Sequence, residues 1–183
     1  RRFGGIVMPA IHLGPDRATA QPDGTILQGM DTANVTIPHR QLDGSCYWVP
    51  DGFFGTLIDA ILGQLKRAGF KMVFADGHGP SRFAWCSAIP KREQRFGLKL
   101  AGVTEGLLSE WKSQTDHASR NETSLVLHYR EDLTDLSQLP TDRNVWPQGI
   151  AGEDPRDANR EYGSECMEGA VTIVGRLIEE SGV

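Results

Sequence analysis

The sequence has little of what would place it in a specialised class. Its 183 residues include only three cysteines, Cys46, Cys86 and Cys166, set far apart with no CxxC pair; that excludes a zinc ribbon and a disulfide framework. Positive charge is also short: 19 Lys and Arg against 24 Asp and Glu leave a net charge of -5. The chain therefore has no electrostatic footprint for nucleic acid or for an anionic membrane surface. No apolar run reaches the ~18 residues that a membrane helix requires, and no signal-peptide pattern opens the chain. Repeats and low-complexity stretches are lacking too. These absences predict a soluble, cytoplasmic protein with neither nucleic acid nor membrane as partner. With 39% hydrophobic and 23% charged residues, what remains is an ordinary globular chain whose length fits one domain over residues 1–183.

What is present alternates between the periods of helix and strand. Ile6 to Met8 is a short apolar run between Gly-Gly and a proline, the pattern of a buried strand. From Leu13 to Gly52 turn residues dominate. An irregular stretch of that length is usually functional, and residues 13–52 read as a lid-like insertion, with a hairpin at Asp23-Gly24 and a short strand at "SCYWV". Phe53 to Ala68 carries apolar residues at 54, 57, 58, 61, 62 and 65, one buried face of a helix ending at Gly69. Strand Lys71–Ala75 follows at once. Residues 82–96 read as helix broken at Pro90, Leu98–Val103 as strand, 104–112 as a short helix, "NETSLVLHYR" as a helix with a capping start, and the last segment, from Asp157, as a long helix. Helix feeding short apolar strand is the unit of a mostly parallel sheet, so the fold class is α/β in three layers.

Chemistry concentrates in two loops. The first is "ADGHGPS", where Asp76, His78 and Ser81 follow directly on a strand, the end at which α/β sheets collect catalytic groups. An imidazole there ligates a metal or moves a proton, or else hydrogen-bonds within its own tight turn. The second is "TDHASRNETS", with Asp116 next to His117 and Glu122 five residues further on. Glu122 also suits the positive end of a helix dipole, and Asp116 suits a cap.

Taken together these motifs resemble the creatininase, or creatinine amidohydrolase, family. "GFKMVFADGHGPS" is similar to the family's Asn-Gly-His-Gly-Gly-Asn strand end. "DHASRNETS" resembles its Asp-x-His-Ala-Gly-x-x-Glu-Thr-Ser signature, and "GEDPRDANREYG" its Gly-Asp-Pro-x-x-Ala-x-x-x-x-Gly segment. The resemblance implies an α/β/α fold, a hexameric homo-oligomer and a centre of one or two metals, zinc, manganese or iron. Carried across, it makes His78 and Glu122 metal ligands and His117 the catalytic histidine, moving a proton between metal-bound water and the leaving nitrogen of a small cyclic or linear amide. Asp116 falls one residue off the family's acid and is assigned to orienting His117.

The match breaks at the family's Glu-x-His-Gly-x-His-Leu-Pro…Asp segment, which this sequence does not contain. Two protein ligands fall short of the three usual for catalytic zinc. The expectation is therefore an N-terminal companion segment or chain that completes the site. The alternative readings are a non-catalytic binding or structural subunit, or a hydrolase of a sugar-like ring or a formamide. His12, Asp16, Asp31 and His39 have no recommending spacing and read as solvent-facing loop residues. Tyr47 and Trp48, near the end of the insertion, read as either specificity aromatics or core, Trp111 as a pocket wall, and the insertion itself argues against creatinine as substrate.

Overall fold

The computed structural model describes residues 3–44, 46–103 and 116–182; the helix expected over 104–112 and Trp111 lie outside these. The described residues fall into two compact units, one drawn from Arg1–Gly29, Gln41–Thr104 and Gly175–Val183, the other from Met30–Arg40 and Glu105–Val174. The 13–52 segment is thus divided between them. Among the described residues no helix is long and apolar enough to cross a membrane.

In the first unit, strands β1 (Ala18–Ala20) and β2 (Ile26–Gln28) form the antiparallel hairpin expected around Asp23-Gly24, with Ala18 opposite Gln28. Gly24 supplies the positive φ of the turn at 87°, and Thr25 N–H donates to the Asp23 carboxylate at 2.9 Å. Helix α1 (Asp51–Arg67) buries Phe54, Leu62 and Leu65 from its apolar stripe. It ends in a Schellman arrangement: Gly69, at φ 90°, donates to Lys66 O and Phe70 donates to Leu65 O. That turn delivers the chain directly into strand β3 (Met72–Ala75). Helices α2 (Gly79–Ser87) and α3 (Ile89–Phe96) meet at Ala88, because Pro90 fits the first turn of a new helix but not the interior of a continuing one. Strand β4 (Lys99–Gly102) then pairs in parallel with β3, Met72 opposite Lys99 and Ala75 opposite Gly102. Leu62, Trp85, Leu98 and Leu100 form the core between helices and sheet, and the Trp85 indole N–H donates to Ala101 O at 3.0 Å. The result is the α/β class with a parallel sheet.

Ile6 to Met8 departs from the expected buried strand. The segment is extended but belongs to no ladder, and Val7 is 97% exposed. Three apolar residues become a strand only where a neighbour takes their backbone hydrogen bonds, and among the described residues none does. "SCYWV" contributes a single parallel bridge, Trp48 to Gly14.

In the second unit, helix α4 (Arg120–Arg130) buries Asn121, Ser124 and Leu127. A 3-10 turn, Pro155–Asp157, leads through Asn159 into helix α5 (Arg160–Glu180), whose last residues count with the first unit. Asn159 caps α5, its Oδ1 accepting from Tyr162 N–H at 2.9 Å. The two helices approach closely at one point. A Cβ on Gly163 would stand 2.6 Å from the Ser124 carbonyl carbon, and Asn159 N–H donates to Ser124 Oγ at 3.1 Å.

Candidate active-site loops

His78 follows β3 by three residues and is the N-cap of α2, its carbonyl accepting from Arg82 N–H at 2.9 Å. The cap has extended backbone, φ -64° and ψ 159°, so the strand runs into the helix without a long loop and the imidazole stays exposed. Pro80 sits in the first helical turn, where its missing donor costs nothing. Asp76 is taken up by Arg82, Nε to Oδ1 at 2.8 Å. Two pieces of the 13–52 segment that belong to the same unit reach this loop. The Tyr47 ring meets the His78 ring edge-on, centroids 5.2 Å apart at 73°. Gly14 lies against the other contacts: a Cβ there would stand 3.2 Å from His78 Nε2 and would collide with Ser81 Oγ. Cys86, further along α2, has its thiol pKa raised by burial and by the Asp76 charge, which suits packing better than nucleophilic chemistry.

The His117 loop is held by its backbone. His117 and Ala151 form an antiparallel bridge, His117 N–H donating to Ala151 O at 2.7 Å and Ala151 N–H to His117 O at 3.1 Å. The side chain of His117 remains exposed. Ala118 takes φ 49°, a left-handed turn that a non-glycine residue adopts at a cost of about 1–2 kcal/mol. Ser119, fully buried, donates from Oγ to Glu153 O. Gly152, at φ 136°, has no room for a side chain, since a Cβ would stand 2.9 Å from Ser119 Oγ and closer to Asp116. Both ends of the "GEDPRDANREYG" segment thus need glycine for contact with the His117 loop and the helix behind it.

Asp116 and Glu122 are both spent on the start of α4. The Asp116 carboxylate accepts from Asn121 N–H at 2.6 Å and Glu122 N–H at 3.3 Å, the capping alternative open to it in the sequence. Glu122 Oε2 accepts from Ala118 N–H at 2.6 Å. Burial holds the Asp116 pKa above the usual carboxylate value; the two amide donors oppose this, and the Glu122 and Glu153 charges add to it. Arg120 pairs with Glu153 at 2.9 Å and lies 4.0 Å over the Tyr162 ring.

Asp116, His117 and Glu122 are therefore brought together in the second unit, while His78 belongs to the first. Among the described residues no three His, Cys, Asp or Glu side chains converge as a metal site would require. One oxygen of Glu122 is taken by a backbone amide, and His78 and Glu122 are two donors, one short of the three protein ligands usual for catalytic zinc. His12 and His39 are exposed, whereas Asp31 is 2% exposed. Asp16, read from sequence as solvent-facing, has a side chain only 7% exposed and accepts from Tyr47 O–H at 2.7 Å. Sequence reasoning also missed Asn121, 2% exposed with neither Oδ1 nor Nδ2 hydrogen-bonded. Only its place one residue before Glu122 marks it.

A search of curated proteins by sequence returns no match. Among solved structures, a Glu-to-Gln mutant creatininase of the Zn–Zn type superposes with a TM-score of 0.62 at 18% identity, covering 98% of this chain and 77% of that one. A Trp-to-Ala mutant creatininase gives a TM-score of 0.59 at 16% identity, covering 82% of this chain and 71% of that one. Both likenesses show the fold. The family model for creatininase, creatinine amidohydrolase, matches residues 3–178. With nearly the whole sequence inside that match, the chain belongs to the creatininase family of metal-dependent amidohydrolases.

Proposed function

We propose that this chain hydrolyses the C–N bond of a small cyclic or linear amide, with His117 giving the leaving nitrogen the proton that lets it depart as a neutral amine. The observation that carries the reading is the clamp at His117: both of its backbone groups are bonded to Ala151 while its imidazole stays exposed. An amide nitrogen is a poor leaving anion, and a positioned imidazole can give it a proton as it departs. Asp116 supports this indirectly by capping α4 and fixing the turn that carries His117.

The family brings a divalent metal, zinc first and manganese or iron as alternatives, which when bound activates water and polarises a carbonyl. The ligand roles of His78 and Glu122 rest on the family pattern alone. Homo-oligomeric assembly enters on the same family basis, and a cytoplasmic location on the scattered cysteines of the sequence. His117→Ala and His117→Gln test the reading. With the side chain exposed, both variants are expected to keep the wild-type Tm while kcat falls by about 10²–10⁴. Full turnover in His117→Ala would overturn the proton-transfer role.

A further inference from the structure

The 13–52 segment places a buried carboxylate and a tyrosine behind His78 in a way that neither the motifs nor the reaction requires. Asp16 is enclosed: its side chain is 7% exposed, Oδ1 accepts from Arg17 N–H at 2.7 Å, and Oδ2 accepts from Tyr47 O–H at 2.7 Å. Its carbonyl is tied as well, accepting from the Trp48 indole N–H at 3.1 Å. Gly29, at φ 51°, lies directly against this pair; a Cβ there would stand 2.5 Å from Asp16 Oδ2 and would collide with the Tyr47 hydroxyl. Tyr47 is thus fixed at its hydroxyl end, and its other end offers the ring to His78 at 5.2 Å. Gly14 closes the opposite approach, donating to Tyr47 O at 2.9 Å and accepting from Val49 N–H at 2.9 Å, so that its Cα lies beside His78 Nε2 and Ser81.

We infer that Tyr47 is a positioning residue for His78, with Asp16 as the anchor that holds Tyr47. The imidazole has a backbone attachment through the α2 cap, but among the described side chains it has no hydrogen-bonded partner and would otherwise rotate freely about its χ angles. The Tyr47 ring and the bare Gly14 Cα bound it on two sides. The carboxylate is balanced by the Arg17 guanidinium, Nε 3.9 Å from Oδ1, and an apolar residue in its place would fill the space but leave the Tyr47 hydroxyl without its acceptor. The carboxylate's use here fits a side chain whose direction matters. The effect on turnover rests on the amidohydrolase reading; the effect on the imidazole does not.

The test uses the full chain, reading the His78 imidazole by carbon–proton NMR, assigned with His78→Gln, alongside steady-state kinetics on small amides. In Tyr47→Leu the His78 resonances are expected to move to the positions of an exposed histidine such as His12. In Tyr47→Phe, which keeps the ring but frees it from Asp16, they are expected to broaden while Tm stays within a few degrees of wild type. Asp16→Asn retains an acceptor for the Tyr47 hydroxyl and is expected to keep the wild-type resonances that Asp16→Ala loses. In Tyr47→Phe, kcat is expected to fall about tenfold to a hundredfold with KM little changed, the cost of a misplaced group. Wild-type His78 resonances in both Tyr47 variants would overturn the inference. Should no amide be turned over while the resonances shift as described, the positioning stands and the amidohydrolase reading falls.

Discussion

Adding one methyl group at Gly163 tests the closest helix approach in the second unit. An alanine Cβ would stand 2.6 Å from the Ser124 carbonyl carbon and 3.0 Å from His128 Cβ. Carbon atoms in contact prefer about 3.5–4.0 Å, so α4 and α5 must separate by about 1 Å to admit it. Overpacking of this kind costs about 1–3 kcal/mol. The separation also strains the Asn159 N–H to Ser124 Oγ bond at the cap of α5, worth about 1 kcal/mol. Against this, alanine is a better helix residue than glycine by about 1 kcal/mol. The net expectation for Gly163→Ala is a loss of about 1–3 kcal/mol. The same helix contains its own control: Gly169 has nothing within 4 Å of its would-be Cβ, so Gly169→Ala should gain about 0.5–1 kcal/mol from propensity alone. Urea denaturation of the two variants at constant m-value reads the difference directly. Equal stability of Gly163→Ala and Gly169→Ala would refute the close approach.

Three further outcomes follow from the His117 loop. Ala118→Gly relieves a left-handed residue at φ 49° and should raise stability by up to about 1 kcal/mol after the entropy of the freed glycine is counted; a lower Tm would contradict that conformation. Asn121→Leu removes a buried carboxamide with two unpaired ends, each costing about 1–3 kcal/mol, so stability should hold or rise; a clear loss would mean that the amide has a partner. Asp116 has a native pKa raised above the ordinary 3.8 by burial. The native state then holds this proton more tightly than the unfolded chain, so its contribution to stability is greatest at low pH and falls as pH rises from 3.8 through the native value. Denaturation curves across that window should show this decline in wild type and lose it in Asp116→Asn; an unchanged slope would count against the assignment.

Which parts were legible in the sequence follows from the range over which each signal acts. The α1 stripe, the Gly69 stop, the Asp23-Gly24 hairpin and the break before Pro90 are local, set by residues within a turn or two, and the structure carries them as read. Ile6 to Met8 was misread because a run of three apolar residues does not say whether a neighbour is there to pair with it. The site divides in the same way. The loop bearing His78 was marked by a short motif directly after a strand, and the loop bearing His117 by one just before a helix. That Asp16 would be buried against Tyr47 was not visible, since 31 residues separate them and only tertiary packing joins them. The glycines at 152 and 163 appear in the sequence as pattern, and only the neighbouring Asp116 and Ser124 explain why a side chain is excluded there.

The central claim is that this member of the creatininase family is a metal-dependent amidohydrolase. The most direct measurement is amine and ammonia release from a panel of small lactams and linear amides, using protein freed of metal by chelation and then reloaded with zinc, manganese or iron(II). C–N hydrolysis is expected to vanish on chelation and to return with one of these ions. Folded protein that releases nitrogen from none of these amides with any of the three ions would contradict it.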